Sequence, residues 1–438
     1  MLQQTLSTAI TLLCLIEVRA QLAYEQLISD LFTNYQKAAR PMNASGAATE
    51  MFIRPALYSI IDVNEAEETV TYSMWYKRTW KDPKLVWDPA SYGNLESITV
   101  NDELVWQPDV VMYELLSIEV TGSMPYLTIK KDGTVTKSES VKVTIHCTLD
   151  VGNFPYDRQN CSSSYVSWMY SGSDIILKSL TGNKGVADYF KNSTEWTLLS
   201  YDALEVVLDY SGVPYYEVHF HIVFQRKPGY YLLTLSLPSY VIVTIAILGL
   251  FSPFMATQER QEKITLGMTA LLTIAVILMM VSDLMPKNAQ DFPLLGTYIL
   301  IEMVITTFGT ILAAGVLYLH SMAAFKYNVP KWLLAITFLT HLDKQQQIDE
   351  QKRSSNATDF TRVSNRTAVD INATAKERSL TALHNILTNL QYIKNELQDK
   401  EDEEDMLGRW MRVCFRLDLF FMVLFLLLNT IITIVFFM

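Results

Sequence analysis

Two hydrophobic periodicities divide the chain. From about residue 50 to 225, apolar and polar positions alternate in short runs. Val141, Val143 and Ile145 are separated by Lys142 and Thr144, and in Val218–Phe224 the even-numbered positions are apolar. Gly, Pro and Asp-Gly turns punctuate these Val-, Ile-, Thr-, Tyr- and Trp-rich runs, a pattern that predicts an all-β sandwich. Ahead of it, Tyr24, Leu27, Ile28, Leu31, Phe32 and Tyr35 fall on one helical face of residues 22–38, so an N-terminal helix is expected. At Pro228-Gly229 the alternation stops. Four apolar stretches follow, at about 230–251, 262–282, 294–319 and 413–437, each long enough to cross a bilayer as a helix.

The second stretch is unlike the others. Glu262, Thr265, Thr269 and Thr273 recur at i+3 and i+4 spacing on a helix otherwise made of Leu, Ile, Val and Met. A carboxylate is costly in hydrocarbon and is tolerated where it faces protein or water. A tightly packed helix whose threonines bond their own backbone is one reading. The acids at both ends of the stripe, Glu262 and Asp283, favour the other, a helix lining an ion pathway.

Between the third and fourth stretches lie about 90 residues of different character. Trp332, Leu333, Leu334, Ile336, Phe338 and Leu339 are too few to span and predict a short interfacial helix. Residues 343–375 are polar and predict a loop. From about 376 a helical pattern resumes (Leu380, Leu383, Ile386, Leu387, Leu390, Ile393, Leu397) and runs toward the fourth span. Its acidic run Glu396–Asp405 reads as a solvated face, or as a means of concentrating cations.

Composition fits a membrane protein with a large water-soluble part: 438 residues, half of them apolar and 18% charged. The net charge of −11 argues against nucleic-acid binding as a function class. Residues 1–20 resemble a secretory signal, which places the sandwich outside. Four crossings then return the C-terminus to the outside, and Lys326, Lys331, Arg409, Arg412 and Arg416 gather on the inner side. The sequons at Asn43, Asn160 and Asn192 suit an exported domain. Cys147 and Cys161 enclose thirteen residues, and in an exported domain a disulfide is expected there, stabilising by about 3 kcal/mol. No phosphate-cradling loop, zinc-ligand cluster or nucleophile elbow is present, so neither an enzyme nor a cofactor is predicted. His219 and His221 share one strand face, which could hold a metal; a solvated or hydrogen-bonded strand surface is the preferred reading, and no metal site is assigned.

Cys147-x6-Phe154-Pro155-x-Asp157-x3-Cys161, preceded by a β domain and followed by four spans, resembles the Cys-loop pentameric ligand-gated ion channels. Leu31-Phe32-x-Asn34-Tyr35 with Arg40-Pro41, Trp75-x4-Trp80-x-Asp82-x2-Leu85-x-Trp87, and Trp106-x-Pro108-Asp109 with Tyr113 are similar to its nicotinic-type branch. Only the long cytoplasmic segment lies outside the likeness. The resemblance implies five subunits around one pore lined by the second span. Glu262 matches the inner acidic position, Thr265 and Thr269 the hydroxyl rings, and Leu272 the central gate. Val276 and Met279 lie above, and Asp283 matches the outer ring. The resemblance also implies an aromatic ligand box, with Tyr113, Trp168, Tyr210 and Tyr215 on its principal face and Trp75 on its complementary face. Coupling is assigned to a Glu65–Arg226 ion pair and to Phe154 and Pro155 over the loop from Asp283 to Asp291, which contains Pro286. One departure stands out: Tyr210-Ser211-Gly212-Val213-Pro214-Tyr215 lacks the adjacent cysteine pair of acetylcholine-binding α-type subunits and is short.

These readings converge on a multi-pass plasma-membrane subunit. Residues 1–20 form a signal, 21–227 an extracellular ligand-binding sandwich, 228–320 spans one to three, 321–412 a partly helical cytoplasmic segment, and 413–438 the fourth span. Its expected partners are a small, cationic amine ligand, inorganic cations, the lipid bilayer and four further subunits. Both halves of the box occur in one chain, which favours a homo-pentamer over a hetero-pentamer. An accessory subunit needing an α-type partner, and a tethered binding protein that does not conduct, are the alternatives.

Overall fold

In the computed structural model, residues 21–42, 46–121, 125–252, 259–286, 292–324, 329–337 and 377–437 are described. They form two compact units, with the break after Tyr231 and with Ser282–Leu295 belonging to the first. Asn43 and residues 287–291 lie outside the described set, as do residues 1–20 and the polar stretch 343–375.

The first unit begins with helix α1 over residues 21–32. The apolar face of the sequence runs on to Tyr35, yet the helix stops earlier. Thr33 turns back on the Ser29 carbonyl, and Tyr35 leaves the helix to donate its hydroxyl to Asp82 at 2.6 Å. Eleven strands follow: β1 (Thr49–Asn64), β2 (Thr69–Val86), β3 (Ser97–Asn101), β4 (Val110–Met112), β5 (Leu115–Val120), β6 (Tyr126–Lys130), β7 (Asp132–His146), β8 (Arg158–Ser167), β9 (Ile175–Ser179), β10 (Trp196–Tyr210) and β11 (Val213–Arg226). One sheet has the order β3-β6-β7-β2-β1-β9, with β5 also paired to β7; the other has the order β10-β11-β8-β4. Val141, Val143 and Ile145 of β7 and Val218, Phe220, Ile222 and Phe224 of β11 are buried, as period-two alternation requires. They close on Tyr72, Trp80 and Tyr165 in one core. Cys147 follows β7 and Cys161 lies in β8, so their disulfide ties the two sheets together.

The second unit is helical. Gly229–Phe251 forms α2, Glu259–Asp283 α3, Leu294–Ala324 α4, Lys331–Ile336 α5 and Glu377–Phe437 α6. Four of these are long and apolar enough to cross a membrane. Over Leu232–Ser236, α2 takes a π turn, which the periodicity does not reveal. Pro238, at the start of the following α-helical stretch, has no N–H to return to the carbonyl four residues back, and the wider turn absorbs that loss. The fourth span and the helix before it are one continuous element of 61 residues. The short α5 packs Leu333 and Leu334 against Trp410, Val413 and Cys414 of α6. Glu302 of α4 is fully buried and accepts the Tyr298 hydroxyl, while Asn429 of α6 reaches Thr244 of α2 at 3.2 Å. The Asn429–Thr244 contact joins two helices, α6 and α2, that share no hydrophobic driving force in lipid, whereas the Tyr298–Glu302 bond lies within α4.

Candidate functional site

The aromatic residues singled out from the sequence fall into two groups on opposite sheets. Tyr113 follows β4 and Trp168 follows β8; their rings meet edge to face at 6.5 Å. Tyr210 and Tyr215 stand at the two sides of the β10–β11 hairpin, 5.5 Å apart. Trp75 belongs to β2 in the other sheet, where its ring neighbours are Tyr58 at 5.7 Å and Tyr189 at 5.3 Å. Trp168 is 66% exposed and Trp75 41%, unusual for tryptophans that merely fill a core.

Local bonds hold the first group in place. Asp109 accepts the Ser167 hydroxyl and the Met169 amide, both at 2.6 Å, and so fixes the turn that presents Trp168. The β10–β11 hairpin turns through Ser211 and Gly212, both with positive φ, which makes it the short two-residue type. Gly172 donates its amide to the Pro214 carbonyl at 2.7 Å and joins the Trp168 loop to this hairpin. A Cβ on Gly172 would lie 2.7 Å from the Tyr216 ring, so only glycine permits the approach.

Beneath the rings lies Glu217, 1% exposed. One of its oxygens accepts the hydroxyls of Tyr113 at 3.2 Å and Tyr210 at 3.3 Å. The other faces His219 Nε2 at 2.9 Å. Burial first, then the neighbouring Tyr210 and Glu217, push the Tyr113 hydroxyl above the usual phenol range, so it remains a protonated donor. The sequence reading missed Glu217 and Gly172. In the run Tyr215-Tyr216-Glu217-Val218-His219, a glutamate at an odd position reads simply as an outward polar residue.

At the far end of the same sheet, Arg226 is the hub of a second cluster. Its guanidinium donates to Asp157 at 2.8 Å, to Glu195 at 2.8 Å and to Glu65. The rings of Trp196 at 4.1 Å and Phe154 at 4.8 Å lie against it. Burial disfavours the charge, but Asp157 and Glu65 outweigh it and hold the guanidinium firmly protonated. Glu65 is pushed up by burial, an effect Arg226 partly offsets. The sequence pair Glu65–Arg226 is thus part of a larger set whose most buried acid is Asp157, between the cysteines. Phe154, joined to Pro155 by a cis bond, is buried beside it. The carbonyls of Gly152 and Phe154 accept the amides of Leu294 and Leu295, and Pro286 is also buried in this unit.

On α3, Glu262, Thr265, Thr269, Leu272, Val276, Met279 and Asp283 are all exposed in the single chain. They form one stripe at i+3 and i+4 steps, and Leu272 is 67% exposed at its centre. Gly267, Ala270, Ile274 and Val281 on the opposite side are buried. Thr269 and Thr273 bond the backbone carbonyls of Leu266 and Thr269, each at 2.9 Å, as a plain packed helix would also have them. In the single chain Leu272 stands exposed between two exposed acids.

Comparison with known proteins agrees with this anatomy. Residues 24–228 match the neurotransmitter-gated ion-channel ligand binding domain, and residues 235–362 match the neurotransmitter-gated ion-channel transmembrane region. The human neuronal acetylcholine receptor subunit alpha-10 is 32% identical over 320 residues, 72% of this chain and 70% of its own length. The human beta-3 subunit is 30% identical over 322 residues, 73% of this chain and 69% of its own. The human alpha-9 subunit is 26% identical over 449 residues, covering 94% and 92% of the two chains.

Proposed function

Because the chain belongs to the neurotransmitter-gated ion-channel family, we propose that it is a subunit of a pentameric cation channel opened by a small ammonium-bearing ligand held where two subunits meet. The observation that carries this reading is the division of exposed and part-exposed rings: Tyr113, Trp168, Tyr210 and Tyr215 on one sheet, Trp75 on the other. Neither group is a full cage, and a head-to-tail ring of identical chains brings one against the other. Each ring face would contribute about 0.5–2 kcal/mol toward an ammonium group.

In this reading the sandwich lies outside the cell, residues 1–20 are removed as a signal, and the C-terminus ends outside. Asn160 and Asn192, both exposed, are the acceptors for glycans. Ligand draws the β10–β11 hairpin inward through the Gly172–Pro214 tie. Movement of β11 reaches Arg226, and through Asp157 and Phe154 it reaches the segment Ser282–Leu295 that follows the pore helix. Allosteric gating needs such a packed element with two arrangements. The exposed face of α3 lines the pore, with carboxylates of Glu262 and Asp283 at its ends selecting cations and Leu272 closing it by dewetting. Acetylcholine, which the relatives' names record, is the first probe to try. An accessory role remains a second reading, favoured by the two-residue hairpin that carries no cysteine pair.

Recording from cells that express this chain alone, while small amines are applied, tests the proposal. Amine-evoked currents that reverse with the cation gradient support it. Surface protein that stays silent until an α-type subunit is co-expressed supports the accessory role.

A further inference from the structure

Trp75 has charged neighbours on its own face of the larger sheet. Two residues along β2, Lys77 lies directly opposite Arg54 of β1, and Ser138 of β7 lies opposite Lys77 on the other side. No register shift separates this row from Trp75, so all four side chains leave the same face. Like charges directly opposite one another destabilise a sheet. Elsewhere in this sheet cations are compensated: Arg78 and Lys137 by Glu139, Lys142 by Glu119, and Lys178 by Glu50. Among the described residues, Arg54 and Lys77 have no ion pair and no side-chain hydrogen bond. The Nε of Arg54 is buried without an acceptor. The flanking positions of the face, Phe52 and Ala56, Thr79 and Trp75, Thr136 and Ser140, supply no carboxylate. Three donors in a row across three strands, two of them cationic, suit an anion beside an exposed ring.

We propose that Arg54, Lys77 and Ser138 hold a carboxylate at the far end of the ligand whose ammonium group occupies the aromatic cage, so that the ligand is an ammonium carboxylate and not a simple amine. Ring faces attract the ammonium, and a guanidinium fork with an adjacent lysine matches a carboxylate. A bare ammonium would meet Arg54 and Lys77 only as a repulsion, whereas a zwitterion is clamped at both ends. Residues two apart on a strand are about 7 Å from one another, which suits a spacer of about three or four carbons between the two charges. The carboxylate clamp rests on the ligand reading above and names what lies at the other end of that ligand. The competing occupant is an acid of the neighbouring subunit, which would neutralise the same cations whatever the ligand carries.

Two probes of equal length test this on the full-length chain in cells: γ-trimethylammoniobutyrate, which ends in a carboxylate, and butyltrimethylammonium, which ends in a methyl group. The readout is the ratio of their half-maximal concentrations for current, with surface protein checked by biotinylation. In the parent, the carboxylate probe should act at a several-fold lower concentration. Lys77→Gln and Arg54→Gln should each bring the ratio toward one, and Arg54→Lys, which keeps the charge, should retain most of it. A lesion that merely disturbs the fold, or cations already paired with a neighbour's acid, would move both probes together and leave the ratio unchanged. An unchanged ratio in both glutamine variants therefore overturns the clamp. So does a parent that responds equally to the two probes, or better to the methyl-ended one; the cage reading then stands without it. If neither probe evokes current, alone or with an α-type subunit, the cage reading fails and the clamp fails with it.

Discussion

At the scale of single residues, the exposure of Trp168 makes ligand contact and core packing separable. A buried tryptophan would cost about 3–5 kcal/mol on truncation, but this ring is 66% exposed and its turn is held by Asp109 rather than by the ring. Trp168→Phe should therefore reach the cell surface normally, with amine potency lowered several-fold through the weaker cation–π attraction. Concentration–response curves corrected for surface protein measure this, and unchanged potency would defeat the cage. Glu262 allows a similar separation at the proposed pore. Its carboxylate is exposed in the isolated chain, so removing it should cost selectivity and not folding. Glu262→Ala should lower cation conductance or move the reversal potential toward that of chloride; if neither changes, charge selection lies elsewhere. In the sequence, Trp168 stands out only through the family resemblance and Glu262 through the polar stripe of α3; their exposure is seen in the fold. Glu217 was not legible there, because its burial is made by Tyr113, Tyr210 and His219, side chains drawn from elsewhere on the sheet and up to 104 positions away.

Secondary-structure elements were legible wherever one face is wet and the other dry. β7 and β11 could be read from period-two alternation, and the stripe of α3 from its i+3 and i+4 steps, since burial and pattern coincide there. The end of α1, the π turn of α2 and the continuity of α6 could not, because they depend on one carbonyl, one missing proline N–H and one uninterrupted helix across a change of solvent. The end of β11 shows how an element depends on a single side chain. Arg226 compensates Asp157, whose side chain is wholly buried, and Glu65, which is nearly so. Removing it strands carboxylates away from water, and breaking a buried pair this way costs about 3–5 kcal/mol. Arg226→Ala should lower the melting temperature of the detergent-solubilised protein and its surface yield. Arg226→Lys should recover part of both, as it restores the charge without the fork; an Ala variant as stable as the parent would show that Asp157 finds other partners. On α3, Leu272→Thr should leave helix and assembly intact while making a closed ring of five easier to wet. A rise in leak current or in agonist sensitivity is expected, and gating as before would move the constriction toward Val276.

At the scale of the whole molecule, the question is whether the two aromatic groups meet across different copies of the chain. The sandwich places Tyr113, Trp168, Tyr210 and Tyr215 on the four-stranded sheet and Trp75 on the larger one, each exposed or part-exposed in the single chain. If the site is interfacial, a subunit carrying Trp168→Ala still offers a native complementary face, and one carrying Trp75→Ala still offers a native principal face. Each variant expressed alone should respond weakly to amines, because every interface then has one damaged half. Expressed together in equal amounts, head-to-tail assembly joins a native principal face to a native complementary face at about one interface in four. Co-expression should therefore restore part of the amine-evoked current and a component of near-parental potency. A site built within one chain predicts no such recovery, since every chain would still carry one of the two lesions. Equal surface expression of the two variants, checked by biotinylation, is the condition that makes the comparison decisive. Recovery would also establish that this chain assembles with itself, because no other subunit supplies either face in that experiment.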